Sequence, residues 1–319
     1  MKTVVLLMNL GSPDSPNPVD VRKYLSEFLN DSRVINLPWL FRKLLVNLII
    51  VPVRSFKSAR LYRSIWTPQG SPLVINTQYL SEGLQNKLGE EYVVEMAMRY
   101  GNPGLKNKLV QLEKQRPDRI ILVPLYPQYS SATTGSTLEL AMRYIGKWKY
   151  IPSLQMIHHF HDHPAYIKAF AFRIHSCHPQ GYDHIIMSYH GLPLSHIHDA
   201  QGSSFCYQAS CFETSKLLAR ELNLKEEDYT VSFQSRLNGD WTKPFTDEAV
   251  RDLAKKGKKR ILVVSPSFTS DCLETLHELG KELKKEFEEN GGEQLTLVES
   301  LNDLPIWVDG LAKMIAANG

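Results

Sequence analysis

Cysteine is scarce: there are four in 319 residues, at 177, 206, 211 and 272. That is too few for a disulfide framework in a chain of this length, so a reducing compartment and a cytoplasmic location are expected. Cys206 and Cys211, in CYQASC, do not make a C-x-x-C pair and read as two helix cysteines. Excess charge is also lacking. A formal net charge of +3 gives no electrostatic case for nucleic acid as a partner. No apolar window reaches the roughly 20 residues of a spanning helix. The apolar run after Met1-Lys2-Thr3 is too short for a secretory signal. The phosphate-binding loops GxxxxGK[ST] and GxGxxG are missing, which counts against nucleotide binding. A GxSxG elbow is missing as well, which counts against a hydrolase of that kind.

The composition, 43% hydrophobic and 22% charged, is that of a globular chain. Its most apolar stretch, from Leu37 to Val53, reads LPWLFRKLLVNLIIVPV and is broken by Arg42, Lys43, Asn47 and two prolines. Two expectations stand side by side: an amphipathic hairpin or lip that touches a bilayer surface, or a core helix of the first domain.

Short apolar runs recur along the chain. Residues 4–10, 92–98, 120–123 and, more weakly, 154–157 read as strands. So do 183–189, 229–233, 261–264 and 294–298. Helical stretches are expected over 21–29, 133–145, 206–222, 246–255 and 271–289. The halves rhyme: a strand with a Gly-x-Pro or Gly-x-x-Pro style turn, a strand with an arginine beyond its end, then an aliphatic run ending in proline and an aromatic turn. This predicts an α/β chain of two Rossmann-like domains with parallel sheets flanked by helices, joined around residues 150–163. Ligands of such sheets bind at the carboxyl ends of the strands, here expected to face one cleft.

The residues at those ends are suggestive. The first half offers Asn9 to Gly11, Arg99, Tyr100, Tyr126 and Tyr129; the second offers His190, Arg236, Asp271 and Glu274. Arginines fork carboxylates, so two of them suggest an acidic ligand. Aromatic walls suggest a flat hydrophobic body. A histidine facing a glutamate suggests proton transfer, metal handling, or both. In RILVVSPSFTSDCLETLHELGKE, residues 260–282, Glu274, Glu278 and Glu282 recur every four residues and stack along one helix face. Like charges so placed repel, so the row does not stabilise a helix. Taken alone, the segment is better read as a capping box from Asp271 to Glu274 followed by a solvated face. The cluster HHFHDH, with His158, His159, His161 and His163, completes no structural zinc pattern and reads as a solvated loop.

Six ordered motifs carry a family resemblance: LLMNLGSP at 6–13, MRYGNP at 98–103, YPQYSSATTGS at 126–136, SYHGLP at 188–193, SFQSR at 232–236 followed by Lys243-Pro244 and Thr246-Asp247-Glu248, and SFTSDCLETLHEL at 267–279. Together they span nearly the whole chain, which resembles the ferrochelatases, enzymes that insert ferrous iron into protoporphyrin IX to make protohaem. The resemblance implies a class II chelatase-like fold. It places residues 1–151 and a C-terminal helix near 300–319 in one domain bearing a porphyrin-binding lip, and 152–299 in the other. It implies His190 and Glu274 as the catalytic and metal-handling pair, with Asp271, Glu278 and Glu282 as the acidic row. Leu10, Arg54, Ser71, Arg99, Tyr100, Tyr129 and Phe268 are the implied porphyrin contacts. Leu10 stands where the coproporphyrin-using branch commonly has tyrosine, so protoporphyrin is the expected substrate.

Two positions depart from the animal enzymes, as in many bacterial members. Cys272 replaces a second histidine, and Ser131 stands at a cluster cysteine whose C-terminal partners are missing too. No cofactor and no iron–sulfur cluster are therefore expected; ferrous iron is a substrate. A chelatase for another tetrapyrrole and a catalytically silent porphyrin carrier remain as alternatives.

Overall fold

The unbroken aliphatic runs at 4–7, 120–123 and 261–264 form strands that are covered on both faces, as parallel sheets require. The computed structural model describes residues 2–198, 200, 202–203, 205–236 and 239–317. Its first sheet contains β1 (Thr3–Ser12), β2 (Tyr92–Gly101), β3 (Arg119–Pro124) and β4 (Ser153–Met156) in the order β2-β1-β3-β4, all parallel. The second contains β5 (His184–His190), β6 (Tyr229–Gln234), β7 (Arg260–Val264) and β8 (Gln294–Leu297) in the order β6-β5-β7-β8, again all parallel. The repeat read from the sequence is thus a repeat of topology.

The helices of the first half are α1 (Pro18–Leu29), α2 (Trp39–Leu44), α3 (Val51–Ile65), α4 (Pro72–Leu88), α5 (Leu105–Gln115) and α6 (Ser136–Ile145). Those of the second are α7 (Pro164–Ser176), α8 (Leu194–His198), α9 (Tyr207–Glu221), α10 (Thr246–Lys255), α11 (Lys284–Glu289) and α12 (Pro305–Ala317). Leu105, Leu109 and Leu112 of α5 and Leu138, Ala141 and Ile145 of α6 pack on Val4, Leu6, Ile120 and Leu122 of the first sheet. Val250 and Leu253 of α10, with Leu279, Leu283 and Phe287, pack on Ile186, Ile261 and Val263 of the second.

Contacts divide the chain into two compact units: Met1–Leu125, Ser131–His158 and Leu311–Gly319 form one, Tyr126–Ser130 and His159–Gly310 the other. The boundary lies beyond the expected 151/152 because β4 pairs with β3 and so belongs to the first sheet. The C-terminal helix is shared: only its part from Leu311 onward counts with the first unit.

Residues 37–53 correct one expectation, for they form no hairpin. α2, a π-helical segment Leu45–Ile50 and α3 follow one another without a break over residues 39–65. Of this stretch Val46 and Val51 pack with Leu29 in a small core, and Arg42 is buried, donating to the carbonyls of Asn30 and Leu37. Trp39, Leu40, Phe41, Leu44, Leu48, Ile49, Val53 and Phe56 are all exposed. No described helix is long and apolar enough to cross a membrane.

Candidate active site

Each sheet brings its ligand-facing residues to the carboxyl end of its first strand by the same device. Gly11 follows the core of β1 with φ +104, and a Cβ there would lie 1.8 Å from the Tyr100 carbonyl oxygen on β2. Gly191 follows β5, donates to the Gln234 carbonyl at 2.8 Å, and a Cβ would approach that oxygen to 2.7 Å. Only glycine permits so close an approach of neighbouring strands. The residue before Gly191 is His190, and the one before Gly11 is Leu10.

In the second unit His190 is held at three points. Its backbone N–H donates to Ser267 Oγ at 3.2 Å, and its carbonyl accepts from the Tyr207 hydroxyl at 2.9 Å. Its ring Nδ1 lies 2.7 Å from the Gly191 carbonyl. A carbonyl only accepts, so Nδ1 carries the proton and Nε2 keeps its lone pair. Phe268 packs edge-on to the ring, with centroids 6.2 Å apart. Burial pushes the imidazole pKa down; the Glu274 carboxylate and the Gly191 bond oppose this only in part, and the net shift is downward. His190 is therefore neutral at neutral pH.

Glu274 opens a π-helical segment, Glu274–Leu283, that continues into α11. The expected helix over 271–289 is thus mostly π-helical. Cys272 donates a hydrogen bond to Glu274, and burial together with that carboxylate raises its thiol pKa far above the usual value, so it remains a neutral thiol. Glu278 follows, receiving hydrogen bonds from Ser235 Oγ and, at 3.5 Å, from Gln234 Nε2. The same amide also donates to the Glu274 carbonyl at 3.1 Å. Burial and the Glu274 charge push the Glu278 pKa up to about 7. Glu282 is exposed and pairs with His277 Nε2 at 3.3 Å. The three glutamates thus step from half-buried to solvent.

Asp271 does not continue that row. It is buried, accepts from Thr275 Oγ1 at 3.1 Å and from Asn302 Nδ2 at 2.8 Å, and ties the start of the helix to the 300–302 segment. It makes no capping box with Glu274: the helical turn is already formed at Leu273, and the Asp271 carboxylate is spent on the chain beyond β8.

In the first unit Leu10 lies between the register pairs Asn9↔Met98 and Gly11↔Tyr100, opposite Arg99. Arg99 donates to Asp31 and, at 2.8 Å, to Ser136 Oγ, while its guanidinium lies 4.4 Å from the Tyr100 ring centre. The Tyr100 hydroxyl donates to the same Asp31 oxygen at 2.8 Å. Burial alone would raise the Asp31 pKa, but hydrogen bonds from Ser136, the Arg33 backbone and Tyr100, with the Arg99 charge, outweigh it and hold the carboxyl low. Arg236 is likewise committed, to Asp247 and Glu248 at 2.8 Å each, and it stacks over Phe245. Both arginines that the sequence offers to an acidic ligand are thus paired with the protein's own carboxylates. Of the other candidates, Arg54 is exposed on α3 and Ser71 is the buried first residue before α4, both outside the Asp31 network. Tyr129 belongs to the second unit and packs on Phe205 at 4.9 Å.

Asp31 and Tyr207 were not marked by any sequence signal, and Ser267 and Gln234 lie within the motifs at 267–279 and 232–236 without being singled out there; Asp31 sits in a polar turn after α1 that resembles any other loop. The HHFHDH stretch is also not the solvated loop expected, since His161 is buried and His163 caps α7 by accepting from the Ala165 N–H at 3.2 Å.

Comparison with known proteins gives one consistent result. A family model described as Ferrochelatase matches residues 2–318. A protein named ferrochelatase from Legionella pneumophila (strain Lens) is 42% identical over 99% of both chains. One of the same name from Coxiella burnetii (strain Dugway 5J108-111) is 41% identical over 98% of this chain and 93% of its own. Among solved structures, SirB from Bacillus subtilis with Fe3+ superposes with a TM-score of 0.60 at 13% identity, covering 100% of this chain and 96% of that one. CbiX, described as the terminal enzyme for biosynthesis of siroheme in denitrifying bacteria, gives 0.51 at 14%, covering 98% of each. At such identities these two speak for the chelatase-like fold alone.

Proposed function

Because this chain belongs to the ferrochelatase family, we propose that His190 and Glu274 carry its chemistry, the insertion of ferrous iron into protoporphyrin IX to give protohaem. The reaction exchanges two pyrrole protons for one Fe2+, so the protein must receive protons at the ring centre and pass them on. The observation that carries the assignment is the His190 ring. With Nδ1–H bound to the Gly191 carbonyl, Nε2 is left as a neutral base. Glu274 beside it takes up the positive charge that protonation creates. Glu278, with a pKa near 7, both accepts and releases a proton at neutral pH, and Glu282 stands at the solvent end. This graded row suits either protons leaving or iron arriving. Leu10 leaves an apolar surface opposite Arg99, which suits the apolar vinyl groups of protoporphyrin better than a further carboxylate.

Three finer statements belong to the same proposal. No iron–sulfur cluster is part of the proposal, for Ser131 offers a hydroxyl where a cluster would take a thiolate; iron and acid-labile sulfide assays of the purified protein test this. Arg54, Ser71, Arg99, Tyr100, Tyr129 and Phe268 are retained as candidate porphyrin contacts. The protein acts in the cytoplasm and meets the bilayer surface peripherally through residues 37–53, whose exposed Trp39, Phe41, Leu48 and Ile49 are flanked by exposed Lys43, Arg54 and Lys57.

The deciding experiment is anaerobic iron incorporation by the parent and His190→Ala, with protoporphyrin and coproporphyrin compared. Loss of at least a hundredfold in kcat for the variant, with protoporphyrin preferred by the parent, is expected. A variant that works at near parental rate removes His190 from the mechanism.

A further inference from the structure

A second group of metal-ligating side chains stands apart in sequence from His190 and Glu274. His159, His161 and Asp162 each offer a ligand atom, and the three atoms lie within 4.8 Å of one another. We propose that they form a second cation site, one that takes a divalent first-row transition metal. Two imidazoles and one carboxylate, with positions left open, make a donor set for Zn2+ or Fe2+ rather than for Ca2+ or Mg2+, which prefer oxygen alone.

His161 supplies the independent observation. It is 6% exposed, yet its Nδ1 has no hydrogen-bond partner. Its other nitrogen, Nε2, lies 3.2 Å from Glu213 Oε2 on α9. A carboxylate only accepts, so Nε2 carries the proton and Nδ1 presents a lone pair that no described group satisfies. A buried lone pair without a donor is costly, and a cation satisfies it. The carboxylate behind a ligating histidine is the usual way of fixing its tautomer and orientation toward a metal.

The segment is also held in place before any ion arrives. The His161 carbonyl accepts from Thr214 Oγ1 at 2.9 Å, and the Phe160 N–H donates to the Pro127 carbonyl at 3.0 Å. Phe160 is buried against Tyr166 and Trp307. The His159 and His161 rings face each other at 5.4 Å between centroids, inclined by 41°. Tetrahedral Zn–N distances of about 2.0–2.1 Å place donors roughly 3.3 Å apart, so side-chain rotations of about 1 Å close the set. Asp162 is exposed and gives the ion a route in.

The test is titration calorimetry of Zn2+ into the full chain carrying His190→Ala and Glu274→Gln, which silences the catalytic pair and makes the readout independent of chelatase activity. One Zn2+ per chain is expected. Adding His159→Gln and Asp162→Asn, both at accessible positions, is expected to weaken it at least tenfold. Adding Glu213→Gln instead is expected to weaken it about 10- to 100-fold by releasing the His161 ring, with circular dichroism unchanged in each case. No saturable binding by the parent, or a change below threefold when His159 and Asp162 are replaced, overturns the proposal.

Discussion

At His190 a single backbone oxygen decides which nitrogen does chemistry. The Gly191 carbonyl takes the Nδ1 proton, burial keeps the ring neutral, and Glu274 moderates that effect. Removing the carboxylate removes a negative charge that raises the His190 pKa. Glu274→Gln should therefore shift the acid limb of the kcat/KM profile to lower pH, while lowering kcat; a pH–rate series with protoporphyrin checks both. Glu278 behaves oppositely. Its pKa rises from 4.5 in the unfolded chain to about 7 in the fold, so between those values only the folded state holds the proton. Stability should decline as pH rises through that window, and Glu278→Gln should abolish the decline in denaturation midpoints measured from pH 4.5 to 8. Tyr207→Phe leaves the buried His190 carbonyl without its donor. A cost of about 1–3 kcal/mol is expected in urea unfolding, with kcat falling more than KM changes because the base is no longer fixed.

Among the elements, the π-helical segment Glu274–Leu283 is the one a sequence reader would draw wrongly. Its i→i+5 hydrogen bonds hold one more residue per closed ring than an α-helix does, and such stretches gather at functional sites. The repeat of glutamate every four residues is legible in the sequence, but the wider helix that carries it is not. Deleting Lys281 should let the segment tighten toward α. The expected result is at least a tenfold loss of iron insertion with helix content by circular dichroism retained. The Asp31 network is the comparable device of the first unit. Asp31→Asn would leave the largely buried Arg99 without its counter-charge, at a cost of about 3 kcal/mol, the low end for breaking a buried pair. Because the Asp31 pKa is held below 3.8, the lost stability is that present above 3.8, which disappears in the parent as pH falls through the folded-state value. Denaturation curves at pH 7 and pH 3 should therefore converge for parent and variant only at the acid end.

For the molecule as a whole, two units repeat one topology but differ in what they add to it. The second keeps the bare pattern and carries the histidine and the acidic row. The first inserts 39–65, with eight large apolar side chains exposed along 39–56. Contiguous apolar surface with basic neighbours is a feature of interfacial helices. Phe41→Glu with Leu48→Glu should reduce co-sedimentation with anionic phospholipid vesicles at least tenfold; equal binding by parent and variant would remove the lip from any membrane role.

Much of this was written in the chain itself. Short apolar runs at 4–10, 120–123 and 261–264 read as strands, and they form strands in the fold. Gly11 and Gly191 marked where strands must nearly touch, and the order of motifs declared the family. These are local properties, set by steric limits and by which residues water rejects. What the tertiary structure alone decided is pairing. Arg99 and Arg236 look free in sequence, and their carboxylates come from 68 residues before one and from 11 and 12 residues beyond the other. Asp271 looks like a helix cap and is a clamp on Asn302. The HHFHDH stretch looks like a loop in water and buries one of its histidines against Glu213. A charge in a sequence has no partner until the fold chooses one, because Coulombic and hydrogen-bonding energies depend on distances that only packing sets.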